Sequence, residues 1–196
     1  MHITVSEQER RYLSSVDPDM KRACRTIGPI DREIGRSLFE GIALQIVAQQ
    51  ISNAAFASIR ARLGDELLSS DNVLALGKAP LRFSGLSEAK ANCLLDVADR
   101  FGQGYFRDLP LLDDEAVRQK LVAIKGIGSW TADMVLIFAL GRKDVFTIKD
   151  AGIRIGLRKL YGFKTISEDR AGKLRKKYSP CATAACLLLW EAAKWE

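Results

Sequence analysis

The chain has 196 residues, enough for one sizeable core or two small lobes, and 47 % hydrophobic with 28 % charged residues is ordinary for a soluble globular protein. Thirty Lys and Arg against 24 Asp and Glu give a formal net charge of +6, which favours a polyanionic partner such as nucleic acid. Four scattered Cys without a CxxC pair and a single His argue against a cysteine/histidine zinc site and a four-cysteine iron–sulfur cluster, and fit a reducing compartment.

Targeting and membrane signals are weak in this sequence. Residues 1–11 have no apolar core of the kind that a signal peptide needs. The longest uncharged run, Gly41–Ile59, contains six polar side chains, including three glutamines, and therefore favours a soluble helix over a membrane span. We expect an intracellular chain that is neither secreted nor inserted in a membrane.

The first half of the chain has helical patterning. Apolar residues recur at helical spacing over residues 38–63, and Gly64 ends this stretch. A short helix is predicted at Leu67–Leu76, where a glycine and a proline follow. Ser87 is a good N-cap for the next helix, which runs to about Phe101.

The second half continues this pattern. A helix that opens at Asp113 ends at residues 125–128, and the nearly all-apolar Trp130–Leu140 predicts a buried helix directly after it. Residues 145–148 are short, β-branched and apolar, which predicts an extended buried connector. Two further helices are predicted at residues 150–162 and 181–195. The sequence gives no indication of a sheet of any size, and the predicted class is all-α.

Two glycines bracket one apolar residue between two of these helices. Gly126 and Gly128 permit unusual backbone torsions, while Ile127 between them is suited to plug into the core. The N–H groups from Gly126 to Trp130 are then expected to point outward, and Lys125 adds positive charge. This geometry is typical of a phosphate site that reads no base, although a tight helix–helix connection in any helical bundle also needs glycine.

Four segments, with a weaker fifth, stand in a specific order and spacing. They are Ile46–Ser52 (IVAQQIS), Gly85–Ala91 (GLSEAKA), Lys125–Asp133 (KGIGSWTAD) and Asp144–Asp150 (DVFTIKD), followed by the weaker match at Tyr178–Trp190. Taken together, these segments resemble the 3-methyladenine DNA glycosylase II family, the alkylation-repair branch of the helix-hairpin-helix DNA glycosylases.

The resemblance implies an architecture: an all-α, two-lobed helix-hairpin-helix glycosylase fold with a central cleft. One lobe is expected at residues 40–139, and the other at residues 1–39 together with 140–196, so that both termini lie on the second lobe. The enlarged family form has an additional N-terminal domain. Because only 36 residues precede Ser37, where the resemblance begins, we expect the compact form.

The resemblance also implies a reaction. Asp150 takes the position of the catalytic aspartate, whose carboxylate stabilises the positive charge that develops on the sugar as the base departs. As the residue that opens a helix, Asp150 is equally suited to be an N-cap, and the two roles are compatible. Trp130 stands where strand-cutting relatives carry a lysine nucleophile. The implied enzyme is therefore monofunctional, with water as the nucleophile and an abasic site as the product.

Further residues receive roles from the resemblance. Gln50 aligns with the wedge that enters the gap left by the flipped base, and Trp130, Met134 and Trp190 take positions in the base-binding pocket. Each of them would also fit an ordinary structural role, as a solvated helix position or as part of the core. Contacts to the DNA backbone are expected from Ser87, Lys90, Lys125, Gly126, Gly128, Ser129 and Lys149.

The substrate and the class of function are not fixed by the sequence. The expected substrates are flipped 3-methyladenine and 7-methylguanine, but Met134 and the segment Cys181–Ala185 depart from the family pattern and leave deaminated bases, oxidised bases or mismatches as substrates. A non-catalytic hairpin DNA-binding module and a helical bundle without a nucleic-acid role also fit the residues. We expect a monomer that acts on double-stranded DNA in the cytoplasm, at the nucleoid, or in a nucleus. No metal or cofactor is expected, although the family often has a monovalent cation at the hairpin carbonyls.

Overall fold

The structure of the protein is a computed structural model that describes residues 2–196, apart from the side chain of Glu33. Within this range the chain forms twelve α-helices, two short 3-10 helices and one two-stranded ribbon, so the all-α class predicted from the sequence is confirmed. By its internal contacts the chain divides into two compact units. The first unit comprises residues 34–140, and the second comprises residues 2–33 and 141–196. None of the helices within residues 2–196 is long and apolar enough to cross a membrane.

The helices and strands follow one another along the chain with short connections. In chain order they are β1 (His2–Thr4), α1 (Glu7–Val16), α2 (Pro18–Thr26), β2 (Asp31–Glu33), α3 (Leu38–Ala48), α4 (Asn53–Leu63), α5 (Ser70–Leu76), α6 (Lys78–Phe83), α7 (Glu88–Gly102), α8 (Asp114–Val122), α9 (Ser129–Phe138), α10 (Ala151–Tyr161), α11 (Glu168–Tyr178) and α12 (Ala182–Ala192). The 3-10 helices are Gly64–Leu68 and Leu109–Leu111.

The first unit contains α3 to α9, and α3 and α9 are its most deeply buried helices. Both are apolar on nearly every face, α3 packs against α7 and α9, and α8 packs against α9. The helical spacing predicted over residues 38–63 does not form one continuous helix, because Gln50 adopts φ +52° and Ser52 starts α4. The Ser52 hydroxyl accepts a hydrogen bond from the Ala55 amide at 3.2 Å, which offers the chain a new helix start instead of a continued turn.

The second unit is organised around α10 and α12, which pack against each other and against α2. At their crossing the two backbones touch: a Cβ placed on Gly156 would lie only 2.1 Å from the main-chain oxygen of Leu189. No side chain larger than hydrogen fits at that point. The close approach therefore requires glycine at position 156 for steric reasons alone.

A small antiparallel ribbon, β1 with β2, was not predicted from the sequence. Ile3 pairs with Arg32 in its register. Strands of three residues are too short to display the alternation by which a strand is recognised, which explains why the pattern did not reveal them. The ribbon brings Arg32 into the second unit.

Asp17 joins α2 to α11 within the second unit. It is almost fully buried, caps α2 by accepting from the Asp19 and Met20 amides, and lies 2.7 Å from Nζ of Lys177. Burial by itself raises the pKa of Asp17, but hydrogen bonds from Lys177, the Met20 amide and Tyr161 outweigh it, so that the net pKa lies below the usual 3.8.

Candidate active site

The hairpin between α8 and α9 has the form that the two glycines predict. Gly126 adopts φ +99°, and a Cβ placed there would lie 3.0 Å from both Cβ and Sγ of Cys93 on α7. Glycine is therefore required at position 126, because φ is positive and because a Cβ would come too close to Cys93. Ile127 between the glycines is buried, as a core plug should be. The turn is thereby fixed against the body of the first unit.

The amino end of α9 faces outward from this turn. Gly128 occupies the N-cap position, and within the described residues no side chain caps the helix there. The first amides of a helix lack intrahelical acceptors and favour an anion. Lys125 is exposed and Ser129 is half-buried beside them. This end of the hairpin can accordingly bind a phosphate through its backbone and Lys125.

An ion pair between the two hairpin helices was not found by sequence reasoning. Nε of Arg118 on α8 lies 2.8 Å from Oδ1 of Asp133 on α9, and Asp133 is buried. A lone acid in an otherwise apolar helix could have signalled such a partner. The pair fixes the angle between the helices that carry the turn.

Two of the predicted backbone contacts lie at the start of α7, and they differ. Ser87 is exposed, and its hydroxyl caps α7 by accepting from the Lys90 amide. The Lys90 ammonium points into the unit, where it donates to the main-chain oxygens of Val47 and Gln49, and burial lowers its pKa. Lys90 therefore holds the end of α3 with its ammonium group, and its contact to a DNA phosphate stays a prediction.

Gln50, the predicted wedge, lies in the exposed loop between α3 and α4. Its φ of +52° is in the left-handed region, which residues other than glycine seldom adopt. Its neighbour Gln49 is held from several sides, since its Nε2 donates to the Gly126 oxygen and to the Thr131 hydroxyl. Gln49 was not singled out by sequence reasoning.

Asp150 is the N-cap of α10, as its position before an apolar helix predicts. Its Oδ1 accepts a hydrogen bond from the Ile153 amide at 2.9 Å and a second one from Nε1 of Trp190 at 2.8 Å. The carboxyl group is half-buried, and the exposed Lys149 precedes it. A carboxylate fixed in this way by two donors is suited to face a developing positive charge.

Gly152 and Arg32 also lie beside Trp190 and were not found by sequence reasoning. A Cβ on Gly152 would lie 2.8 Å from Cδ1 of Trp190 and 3.0 Å from Oδ1 of Asp150, so only glycine leaves room for their contact. The Arg32 guanidinium lies 5.6 Å from the centroid of the Trp190 ring and also pairs with Glu191 at 2.5 Å. The feature of the sequence that could have indicated this contact is Gly152, a glycine at the second position of α10.

The remaining predicted pocket residues have different exposures. Trp130 is half-buried at the start of α9. Met134, one turn later, is 2 % exposed and packs in the core of the first unit, and its contact to a flipped base stays a prediction. Among residues 2–196, no group of three or more His, Cys, Asp or Glu is arranged to hold a metal ion, and all four Cys are free thiols.

Comparison with known proteins identifies similar chains. The sequence is 27 % identical over 195 residues to DNA-3-methyladenine glycosylase 1 of Schizosaccharomyces pombe, covering 93 % of this chain and 86 % of that protein. The fold matches a 3-methyladenine DNA glycosylase of the same yeast, solved in complex with abasic DNA, with a TM-score of 0.85, 26 % identity and coverage of 96 % and 97 %. It also matches the 3-methyladenine DNA-glycosylase from Archaeoglobus fulgidus, with a TM-score of 0.85, 26 % identity and coverage of 96 % and 69 %. No protein-family profile matches the sequence.

Proposed function

We propose that this chain, which belongs to the DNA-3-methyladenine glycosylase family of helix-hairpin-helix proteins, hydrolyses the N-glycosidic bond of alkylated purines in double-stranded DNA. Its substrates are 3-methyladenine and 7-methylguanine extruded from the duplex, and its product is an abasic site. The observation that carries the proposal for this chain's own residues is the Asp150 carboxylate, held at the start of α10 by the indole N–H of Trp190.

The main requirement of the reaction is a fixed negative charge beside the sugar. An alkylated purine is cationic, so the base departs as a neutral molecule with the electron pair of the glycosidic bond. The positive charge passes to the sugar, where the carboxylate of Asp150 stabilises it. A water molecule then adds to the sugar carbon and loses a proton, which completes the hydrolysis.

In this proposal, Trp130 at the position of a lysine nucleophile restricts the reaction to hydrolysis of the glycosidic bond. It follows the hairpin directly, where a lysine would be needed to attack the sugar and form the Schiff base that precedes strand cleavage. An indole cannot act as that nucleophile, and the protein therefore has glycosylase activity without lyase activity. In this proposal the half-buried Trp130 ring stacks on the electron-poor, flipped base. Met134 lies one helical turn after Trp130 and is buried.

Phosphate contacts anchor the damaged strand. The hairpin supplies them through the backbone at Gly126, Gly128 and Ser129 and through the exposed Lys125. Ser87 at the start of α7 and Lys149 beside Asp150 add further contacts, and the net charge of +6 favours approach to DNA of any sequence. Gln50, exposed in its loop, fills the gap in the stack after the base leaves it.

The oligomeric state and the place of action of the protein are also proposed. In this proposal the two compact units serve as the two lobes of the glycosylase, and the protein acts as a monomer. Its place of action is the nucleoid of a cytoplasm or a nucleus, because chromosomal DNA is its substrate.

The direct test compares release of free base from methylated duplex DNA by the wild type and by Asp150→Asn. Asparagine also caps helices well, so the fold of α10 should persist while the charge is lost. We expect the single-turnover rate to fall at least about a hundredfold, roughly 3 kcal/mol of barrier. The matched control is Asp169→Asn, an exposed acid of α11 paired with Lys173, which should release base like the wild type.

A panel of single-lesion duplexes tests the substrate class separately. The panel contains 7-methylguanine, a deaminated base, an oxidised base and a mismatch in one sequence context. A preference for the alkylated purine supports the proposal, and release of another base alone would replace its substrate. Salt-sensitive binding of duplex DNA without release of any base would point to a non-catalytic hairpin protein.

A further inference from the structure

The carboxyl end of α3 is held by a side chain from another helix of the same unit. Lys90, in the first turn of α7, donates from Nζ to the main-chain oxygens of Val47 at 2.8 Å and Gln49 at 2.5 Å. The last carbonyls of a helix lack intrahelical donors, and a cation is well placed to meet them. The point at which the chain leaves α3 is therefore fixed on α7.

The side chain of Gln49 is fixed by a different element. Its Nε2 lies 2.9 Å from the main-chain oxygen of Gly126 in the hairpin turn and 2.9 Å from Oγ1 of Thr131 in the first turn of α9. A side-chain amide nitrogen has two hydrogens, and both are used here. Gln49 thus ties the end of α3 to both sides of the hairpin turn.

Gln50 follows directly and is the exposed residue with φ +52°. A left-handed torsion at a residue other than glycine costs free energy and persists only where the neighbouring structure fixes it. Because both the carbonyl and the side chain of Gln49 are held, the direction of the chain at Gln50 is set before any ligand binds.

We infer that Gln49 is a positioning residue that places the wedge, Gln50, in register with the phosphate-binding hairpin, and that Lys90 holds Gln49 in turn. The inference rests on the proposed function, in which the hairpin anchors the strand and Gln50 enters the stack. A wedge acts only if it meets the stack at a set distance from the anchored phosphates. That distance is set by the hydrogen-bond network that joins Lys90, Gln49, Gly126 and Thr131. Loss of the network therefore weakens extrusion of the base but leaves cleavage of the glycosidic bond intact.

The first test measures extrusion without chemistry. Duplex DNA carries one 7-methylguanine paired with cytosine and the fluorescent base 2-aminopurine beside it, whose emission rises when the stack is opened. At saturating protein, Gln49→Leu should lower the rise in emission at least about threefold, because unstacking costs a few kcal/mol that the wedge must offset. Lys90→Met should act in the same direction, and Lys90→Arg, which keeps donors for both carbonyls, should restore the signal.

The second test separates extrusion from cleavage by rate. The same lesion is placed either in the paired duplex or unpaired in a one-nucleotide bulge, where little pairing must be broken. The ratio of the paired to the unpaired single-turnover rate should fall about tenfold or more in Gln49→Leu. The matched control is Lys120→Met, which removes a lysine paired with Asp108 in the same unit and should leave the ratio within about threefold of wild type.

The outcomes are distinct. A loss of equal size on the paired and the bulged lesion would show a merely structural role for Gln49 and overturn the inference, as would an unchanged fluorescence rise. Failure of the wild type to release any base would contradict the proposed function, whereas the fluorescence measurement would still decide the inference.

Discussion

Nε1 of Trp190 and the amide of Ile153 donate to the same carboxylate oxygen of Asp150, at 2.8 Å and 2.9 Å. One donor belongs to α12 and the other to the helix that Asp150 itself caps. Two donors from different directions fix the plane of a carboxyl group better than one. The orientation of Asp150 is therefore a property of the packing of α10 and α12.

Replacing Trp190 with Phe should lower the rate of base release without unfolding the protein. The substitution keeps a ring in place and removes the indole donor to Asp150. We expect the single-turnover rate to fall about tenfold to a hundredfold, because a hydrogen bond to a charged group contributes about 1.5–3 kcal/mol. Trp195→Phe, in the same C-terminal region, is the control and should keep the wild-type rate. Equal losses in the two variants would contradict the assigned role of Trp190.

Adding one methyl group at Gly152 should damage the site more than the fold. A Cβ at this position would lie 2.8 Å from the Trp190 ring and 3.0 Å from Oδ1 of Asp150. We expect Gly152→Ala to lose about tenfold or more in rate, since one of the two side chains must move. Gly172→Ala in α11, where the added Cβ meets nothing within 4 Å beyond the local helix backbone, should gain about 0.5–1 kcal/mol in stability and keep full activity. Urea unfolding and single-turnover kinetics measure both effects, and full activity of Gly152→Ala would refute the expectation.

Acid should destabilise the second unit through Asp17. Because the pKa of Asp17 in the folded protein lies below its usual 3.8, the ionised group stabilises the fold fully above about pH 4–5, and this contribution is lost as the pH falls through the folded pKa. Asp17→Asn should lower the free energy of unfolding at pH 7 by about 1–3 kcal/mol, and the difference from wild type should shrink in acid.

Asp19→Asn provides the comparison for Asp17, since Asp19 lies in the same helix and pairs with Arg22 at the surface. We expect it to cost less than about 1 kcal/mol at pH 7, as exposed pairs do. Urea titrations at several pH values test both variants. A constant difference between Asp17→Asn and wild type from pH 7 to pH 3 would show that the charge of Asp17 does not matter.

Lys125 should account for about one phosphate contact in the binding of DNA. It is exposed beside the hairpin, at the amino end of α9. The slope of log affinity against log salt concentration should become shallower by about one in Lys125→Ala, because one fewer counterion is released from the duplex. Lys173→Ala, which removes an exposed lysine already paired with Asp169, should leave the slope unchanged. Fluorescence anisotropy with an undamaged duplex is sufficient for this measurement.

The parts of the site that could be predicted depend on neighbours in the sequence. Gly126 and Gly128 around Ile127 predict a tight turn between two helices from adjacent residues alone, and an aspartate before an apolar helix is suited to cap it. The roles of Trp130 and Asp150 as a pair came from the resemblance to a family, because the residues alone also fit a core aromatic and a simple cap.

The parts that could not be predicted depend on residues far apart in the chain. Trp190 meets Asp150 across 40 positions, and Lys90 meets Gln49 across 41, so no spacing rule connects them. For the same reason the bonds from Lys90 to the end of α3 and the burial of Met134 could not be read from the sequence. The break at Gln50 was hidden because the apolar spacing continues on both sides of it.

The backbone contact between Gly156 and Leu189 has a further meaning for the enzyme. It joins the helix that begins at Asp150 to the helix that carries Trp190, and at this contact main chain meets main chain without an intervening side chain. The carboxylate and its indole donor are therefore assembled when the chain folds, and DNA encounters a site that needs no reorganisation on that side. A substitution at Gly156, less than two helical turns from Asp150, would separate the helices and act as an active-site mutation from a distance.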